Sequence, residues 1–207
     1  MAEAFSIRIR GTVQGVGFRP TVWRIAHDLG LAGDVANDAE GVLIRILASA
    51  ELAKVFIERI RDEAPRLAHI EAIEMQPLSR GARFDGFAII GSTPGATRTH
   101  VAPDAATCPD CLAEIRDPNE RRYRYPFTNC TNCGPRLTIV ERIPYDRANT
   151  SMAHFVMCTA CCGEYTTPTD RRFHAQPIAC SSCGPHVRLI EAGGLASSVE
   201  GADAIDQ

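Results

Sequence analysis

Along the first ninety residues the chain switches between two hydrophobic periods. Phe5, Ile7 and Ile9 alternate with Ser6, Arg8 and Arg10, the pattern of a half-buried strand. A turn-like run from Gly11 to Gly17 follows. Pro20 suits the first turn of a helix carrying Val22, Trp23, Ile25, Ala26 and Leu29, and Gly30 can end it. Val35 belongs to a second strand. Gly41 begins a third, in which Val42, Ile44 and Ile46 share one face and Leu43, Arg45 and Leu47 the other. Glu51 to Glu63 reads as an amphipathic helix with Leu52, Val55, Phe56 and Ile60 as its buried stripe. Ile70, Ala72 and Met75 mark a fourth strand, and Phe84 to Ile90 a final edge. The order β-α-β-β-α-β predicts an α+β, ferredoxin-like fold with its helices on one face of an antiparallel sheet.

The second half has a different texture. Eight of the nine cysteines form four C-x-x-C pairs, Cys108/Cys111, Cys130/Cys133, Cys158/Cys161 and Cys180/Cys183, with 18 residues between the pairs of each half and the whole block repeated after 50. Glu114/Glu164, Pro118/Pro168, Arg121/Arg171, Arg122/Arg172, Gly134/Gly184 and Pro135/Pro185 keep the same offset, as does the aromatic pair Tyr123/Phe173, so one small module has been duplicated. A C-x-x-C turn lets two thiolates meet one ion, and four sulfurs close a tetrahedral shell, so two structural Zn²⁺ sites are expected. Sequential pairing and a swapped pairing, first pair with fourth and second with third, both preserve the repeat. Cys162 is a spare thiol.

An oxidising compartment would turn the same cysteines into a disulfide framework. Met1 to Arg10, however, has no apolar signal-like region, and no stretch approaches a membrane span, so the expectation is a reduced, cytoplasmic chain without membrane contact. The 207 residues, net charge of -3 and 45% hydrophobic content describe a globular protein of one or two domains. Arg121-Arg122-Tyr123-Arg124-Tyr125 mixes cations with aromatics, but the module as a whole is not basic enough to expect nucleic-acid binding. A solvated arginine face over the thiolates, with tyrosines packed beneath, is the plainer reading. His174 is expected to pack or to make a structural hydrogen bond, since eight cysteines already fill two metal sites.

The suggestive chemistry of the first half lies in Gly11-Thr-Val-Gln-Gly-Val-Gly-Phe-Arg19-Pro20. Its glycines permit several N–H groups to converge between strand and helix as an anion nest. Arg19 at a helix N-terminus is unfavourable unless an anion sits between it and the helix dipole, and phosphate fits that gap.

This run resembles the signature of the acylphosphatase family, and Asn37 stands where that family carries its second essential residue. The resemblance implies that the loop Gln14-Gly15-Val16-Gly17-Phe18 and Arg19 bind a substrate's phosphate while Asn37 orients the attacking water. Asp34 departs from the aromatic residue usual in that family; its carboxylate would either weaken anion binding or point into solvent.

Joined, the two halves resemble the N-terminal part of the HypF family of hydrogenase maturation carbamoyltransferases. The matching stretches are Cys108-Pro-Asp-Cys-Leu, the run from Arg121 to Arg136, Pro144-Tyr-Asp-Arg and Arg171-Arg-Phe-His-Ala-Gln-Pro. That family continues into nucleotide-binding and carbamoyl-transfer domains, so the chain reads as a fragmentary member. The resemblance implies cleavage of carbamoyl phosphate to carbamate and phosphate, as the first step toward the cyanide ligands of [NiFe] hydrogenase, with a HypE-like protein as final acceptor.

The expected organisation is an acylphosphatase-like domain at 1–92 and a linker at 93–105. A tandem zinc-finger domain follows at 106–190, with repeats at 106–140 and 156–190, and then a flexible tail at 191–207 rich in Gly, Ala, Ser and acidic residues. The alternative function is a non-catalytic, zinc-stabilised scaffold or docking fragment.

Overall fold

The computed structural model describes residues 3–78, 83–93, 95, 99–190 and 196–205. Strand β1 (Glu3–Thr12) leads through the glycine loop into α1 (Phe18–Asp28). β2 (Ala32–Asp38) and β3 (Gly41–Ala48) follow, then α2 (Ala50–Asp62), β4 (His69–Pro77) and the short β5 (Phe87–Ile89). The sheet order is β4-β1-β3-β2-β5. The first four strands pair antiparallel, whereas β5 joins β2 in parallel, so the expected edge strand is present but departs from the all-antiparallel sheet.

Strand alternation sends Ile7, Ile9, Val35, Val42, Ile44 and Ile46 under the helices, where they meet Val22, Ile25, Phe56 and Ile60 in one apolar core. Pro20 does sit in the first turn of α1, and Gly30, at φ 63, follows its end. Ser49 caps α2 by accepting from the N–H of Leu52 at 3.2 Å. The predicted stripe of α2 needs one correction. Val55 is 42% exposed, because the buried face runs through Ala53, Phe56 and Ile60 and turns Val55 toward solvent.

The second half holds two matching helices, α3 (Pro109–Arg116) and α4 (Thr159–Thr166), each starting directly after the first cysteine of its repeat, and a hairpin of β6 (Arg188–Ile190) and β7 (Ala196–Glu200). That hairpin corrects the expected flexible tail. Residues 196–200 pair antiparallel with β6, and the Gly201 N–H donates to the Val187 carbonyl at 2.7 Å. A composition rich in small polar residues described a paired strand there. The segment expected as a linker is fastened to both halves: Thr99 donates to the Gly11 carbonyl, Ala102 is buried, and Ala105 pairs with Gly134.

Candidate functional site

The loop between β1 and α1 is shaped by two left-handed glycines, Gly15 at φ 75 and Gly17 at φ 77. Gly17 is the N-cap of α1 and no side chain caps that helix, so the N–H groups of its first turn face the loop mouth. The side chains of Val16 and Phe18 enter the core. Gln14 is fully buried: its amide donates to the Asp38 and Gly41 carbonyls, and its Oε1 accepts from the Tyr145 N–H at 2.8 Å. Of the loop residues expected at a phosphate, Gln14, Val16 and Phe18 therefore have only main-chain groups to offer.

Arg19 and Asn37 are brought together from α1 and β2, 8% and 1% exposed respectively. With its amide turned to give each polar atom a partner, Asn37 accepts from Arg19 Nε at 3.2 Å and from Nη2 at 3.3 Å. The rest of the guanidinium is engaged by residues far away in sequence. Nη1 donates to Ser92 Oγ at 3.4 Å, Nη2 donates to the Tyr145 carbonyl at 3.3 Å, and Nη2 forms an ion pair with Asp146 Oδ1 at 2.7 Å. Asp34 lies on the opposite face of β2 from Asn37. It is buried and held bidentately by Arg45 at 2.8 and 2.6 Å, so it does neither of the things expected of it: it is not beside the phosphate loop and it does not point into solvent.

The second half closes over this cleft. Tyr145, His174, Ala175, Gln176, Thr131 and Arg136 line it together with Gly15, Gly17, Arg19 and Asn37, and the cavity they leave is about 20 Å³, room for about one water molecule. Arg136, 1% exposed, donates from Nε to the Gly15 carbonyl and from its other nitrogens to the carbonyls of Cys130, Thr131, Cys133 and Pro135. This ties the glycine loop to the first cysteine knuckle. His174 packs on Tyr165 and Phe173; burial lowers its pKa to about 4, assisted by the charge of Arg19 and opposed by Asp146. Phe173 in turn meets Trp23 of α1 edge-on at 5.5 Å. Packing is what was expected of His174; its place in the wall of the cleft was not.

The cysteines assemble sequentially, Cys108 with Cys111, Cys130 and Cys133, and Cys158 with Cys161, Cys180 and Cys183. All are free thiols. The sulfur pairs Cys108/Cys130, Cys130/Cys133, Cys158/Cys180, Cys180/Cys183 and Cys161/Cys183 lie 3.7, 3.8, 3.8, 3.7 and 3.6 Å apart. A tetrahedron with metal–sulfur bonds of about 2.3 Å has edges of about 3.8 Å, so both clusters fit a four-sulfur ion.

The repeats interlock. Arg171 and Arg172 of the second reach Glu114 of the first, and Arg121 and Arg122 of the first reach Glu164 of the second. Arg122 Nε donates to the Ala179 carbonyl and Arg172 Nε to the Asn129 carbonyl, positions 50 apart. Arg171 Nη1 reaches Cys111 Sγ, and Arg121 Nη1 reaches Cys161 Sγ. Burial opposes the charge on Glu164, yet Arg122 and Arg121 hold it down to about 2. The expected solvated arginine face over packed tyrosines is thus corrected in part: Tyr125 is buried as expected, but Arg122 is fully buried and Tyr123 is 44% exposed.

Comparison with known proteins follows the same division. A family model described as Acylphosphatase matches residues 5–89, and one described as HypF finger matches residues 107–140 and 157–190. The Carbamoyltransferase HypF of Rhodobacter capsulatus is 56% identical over 155 residues, covering 75% of this chain and 20% of that protein. The Acylphosphatase of Lactobacillus gasseri is 31% identical over 89 residues, 42% of this chain and 98% of that protein. A crystal structure of full-length HypF in the phosphate- and nucleotide-bound form superposes with a TM-score of 0.87 at 46% identity, covering 93% of this chain and 26% of that one. The chain thus spans about a fifth of the length of the HypF relative it matches. Among the described residues, no helix is long and apolar enough to cross a membrane.

Proposed function

We propose that this chain, which belongs to the acylphosphatase family in its first domain and corresponds, with its two HypF fingers, to the N-terminal part of HypF, hydrolyses carbamoyl phosphate to carbamate and phosphate. The observation that carries the reading is the contact between Arg19 and Asn37 at the mouth of the left-handed glycine loop. Main-chain N–H groups of Gly15 to Arg19 and the Arg19 guanidinium bind the phosphate oxygens, and Asn37 positions water. Water attacks phosphorus, the bond from phosphorus to the carbamoyl oxygen breaks, and carbamate leaves as an anion while phosphate keeps the oxygen of water. No side-chain nucleophile is needed; positioning and charge stabilisation drive the step.

Each four-cysteine cluster holds one structural Zn²⁺ with no open ligand position, so the fingers shape the site without taking part in the chemistry. In this reading carbamate passes to carbamoyl-transfer machinery beyond this chain, in the cytoplasm, with a HypE-like protein as the eventual acceptor.

One observation favours the alternative of a non-catalytic docking fragment: Asp146 pairs with Arg19 and the cleft has little room, so substrate entry requires the segment around Tyr145 to move. Phosphate release from carbamoyl and acetyl phosphate separates the two readings. Hydrolysis that falls by about 10²–10³-fold in Arg19→Ala is expected of the enzyme. Release no greater than that of the variant would leave the docking fragment.

A further inference from the structure

Resting on that reading, we propose that Asp146 determines the specificity of the site for an acyl phosphate whose acyl end carries N–H donors. Asn37, Ser92, the Tyr145 carbonyl and Asp146 engage all three nitrogens of the Arg19 guanidinium, and the contact with Asp146 at 2.7 Å is the shortest of them. A phosphate can be gripped by two of those nitrogens only if the carboxylate lets go, so phosphate and Asp146 compete for one cation.

The displaced carboxylate then needs a partner. Its side chain is 25% exposed and that of Arg19 is 9% exposed, so the exchange takes place where water compensates in part. The loop side of the cleft is taken by the phosphate, so the acyl end faces the second half, where Gln176 lines the cavity and Asp146 stands beside it at Arg19. A carbamoyl group presents an NH₂ there and re-pairs the carboxylate. An acetyl group presents a methyl and leaves it bare. A site built around a hydrogen-bond partner rejects the analogue that lacks one far more strongly than a hydrophobic pocket rejects a change in size. The same carboxylate disfavours inorganic phosphate, which competes for Arg19 and offers the acceptor little in return.

The test uses the zinc-loaded 207-residue chain and two variants, Asp146→Asn and Asp146→Ala, each checked for metal content and circular dichroism. kcat/KM for carbamoyl and acetyl phosphate is measured with inorganic phosphate affinity by calorimetry. In Asp146→Ala the preference for carbamoyl over acetyl phosphate is expected to shrink by about tenfold or more, and inorganic phosphate to bind more tightly in both variants. An unchanged substrate ratio in correctly folded variants overturns the specificity role. If the unmodified chain hydrolyses neither substrate, the hydrolase reading fails by itself. The phosphate titration then still decides whether Asp146 competes for Arg19, and equal affinity in all three proteins overturns that as well.

Discussion

The two halves of this chain are held together by different physics. In the first domain, Ile7, Ile9, Val22, Ile25, Ile44 and Phe56 are wholly buried in one apolar core, and the ion pairs lie around it. In the second, two buried clusters centre on cysteines and a small third one joins Tyr125, Met152 and Ala179, and the largest fully buried side chains include Arg122 and Arg136. Buried ion pairs recover little of their desolvation cost, so the Glu114 and Glu164 network selects how the two repeats face one another more than it stabilises them. An ion bound by each four-cysteine cluster would supply the larger share of the stability there. The contrast shows why a small duplicated module can manage with only small apolar clusters: sulfur and charge fix its geometry, and one side of it is free to shape a neighbouring cleft.

The largest expected effect separates the halves directly. Chelation removes a contribution on the order of 10 kcal/mol per structural zinc, so amide protection across 107–190 should collapse while β1, β3 and α2 keep theirs. Simultaneous loss of protection in both halves would break the comparison.

Next in size, Arg122→Ala removes a fully buried guanidinium from Glu114, Glu164 and the Ala179 carbonyl, while Arg171 and Arg172 still hold Glu114 and Arg121 still holds Glu164, and should cost about 1–3 kcal/mol in urea unfolding of the finger half. Its counterpart in the first domain, Ile44→Val, should cost only about 1 kcal/mol, equally with and without chelator.

The smallest effect lies where the halves meet. His174 has its pKa lowered from 6.5 to about 4, so between those values the unfolded chain binds more protons than the folded one. Its contribution is complete above about pH 6.5 and is lost as pH falls toward 4. His174→Asn, which tolerates the left-handed φ of 55, should flatten the stability profile in that window. An unaltered profile would place the acid sensitivity elsewhere.

Much of this was readable in advance, for reasons visible in particular residues. Ile44 and Phe56 announce themselves by period, and the cysteines by a spacing that few other structures require. Val55 was misread because an apolar residue at the rim of a helix stripe carries the same signal as one at its centre. The strand at 196–200 was missed because Gly, Ala and Ser look alike in a short paired strand and in a linker. Tyr145 and Asp146 stood inside a family-matching stretch, but nothing local tied them to Arg19, more than a hundred residues earlier. One signal could have helped. Where the 50-residue repeat is kept, as at Glu114/Glu164 and Arg122/Arg172, the residues hold the repeats together. Where it is broken, as at Arg136/His186 and Arg124/His174, the Arg136 and His174 members face the first domain.

By itself the sequence determined the split β-α-β-β-α-β order, the duplication and the eight thiols, because each rests on periodicity or short-range spacing; Arg19 stood out as a cation at a glycine-rich helix start, and Asn37 through the resemblance to acylphosphatases. Tertiary structure alone decided that the clusters pair sequentially, that each repeat's arginines serve the other's glutamate, and that Tyr145 and Asp146 close over Arg19. Those outcomes depend on which distant surfaces meet, and desolvated charges carry no local pattern from which their partners can be read.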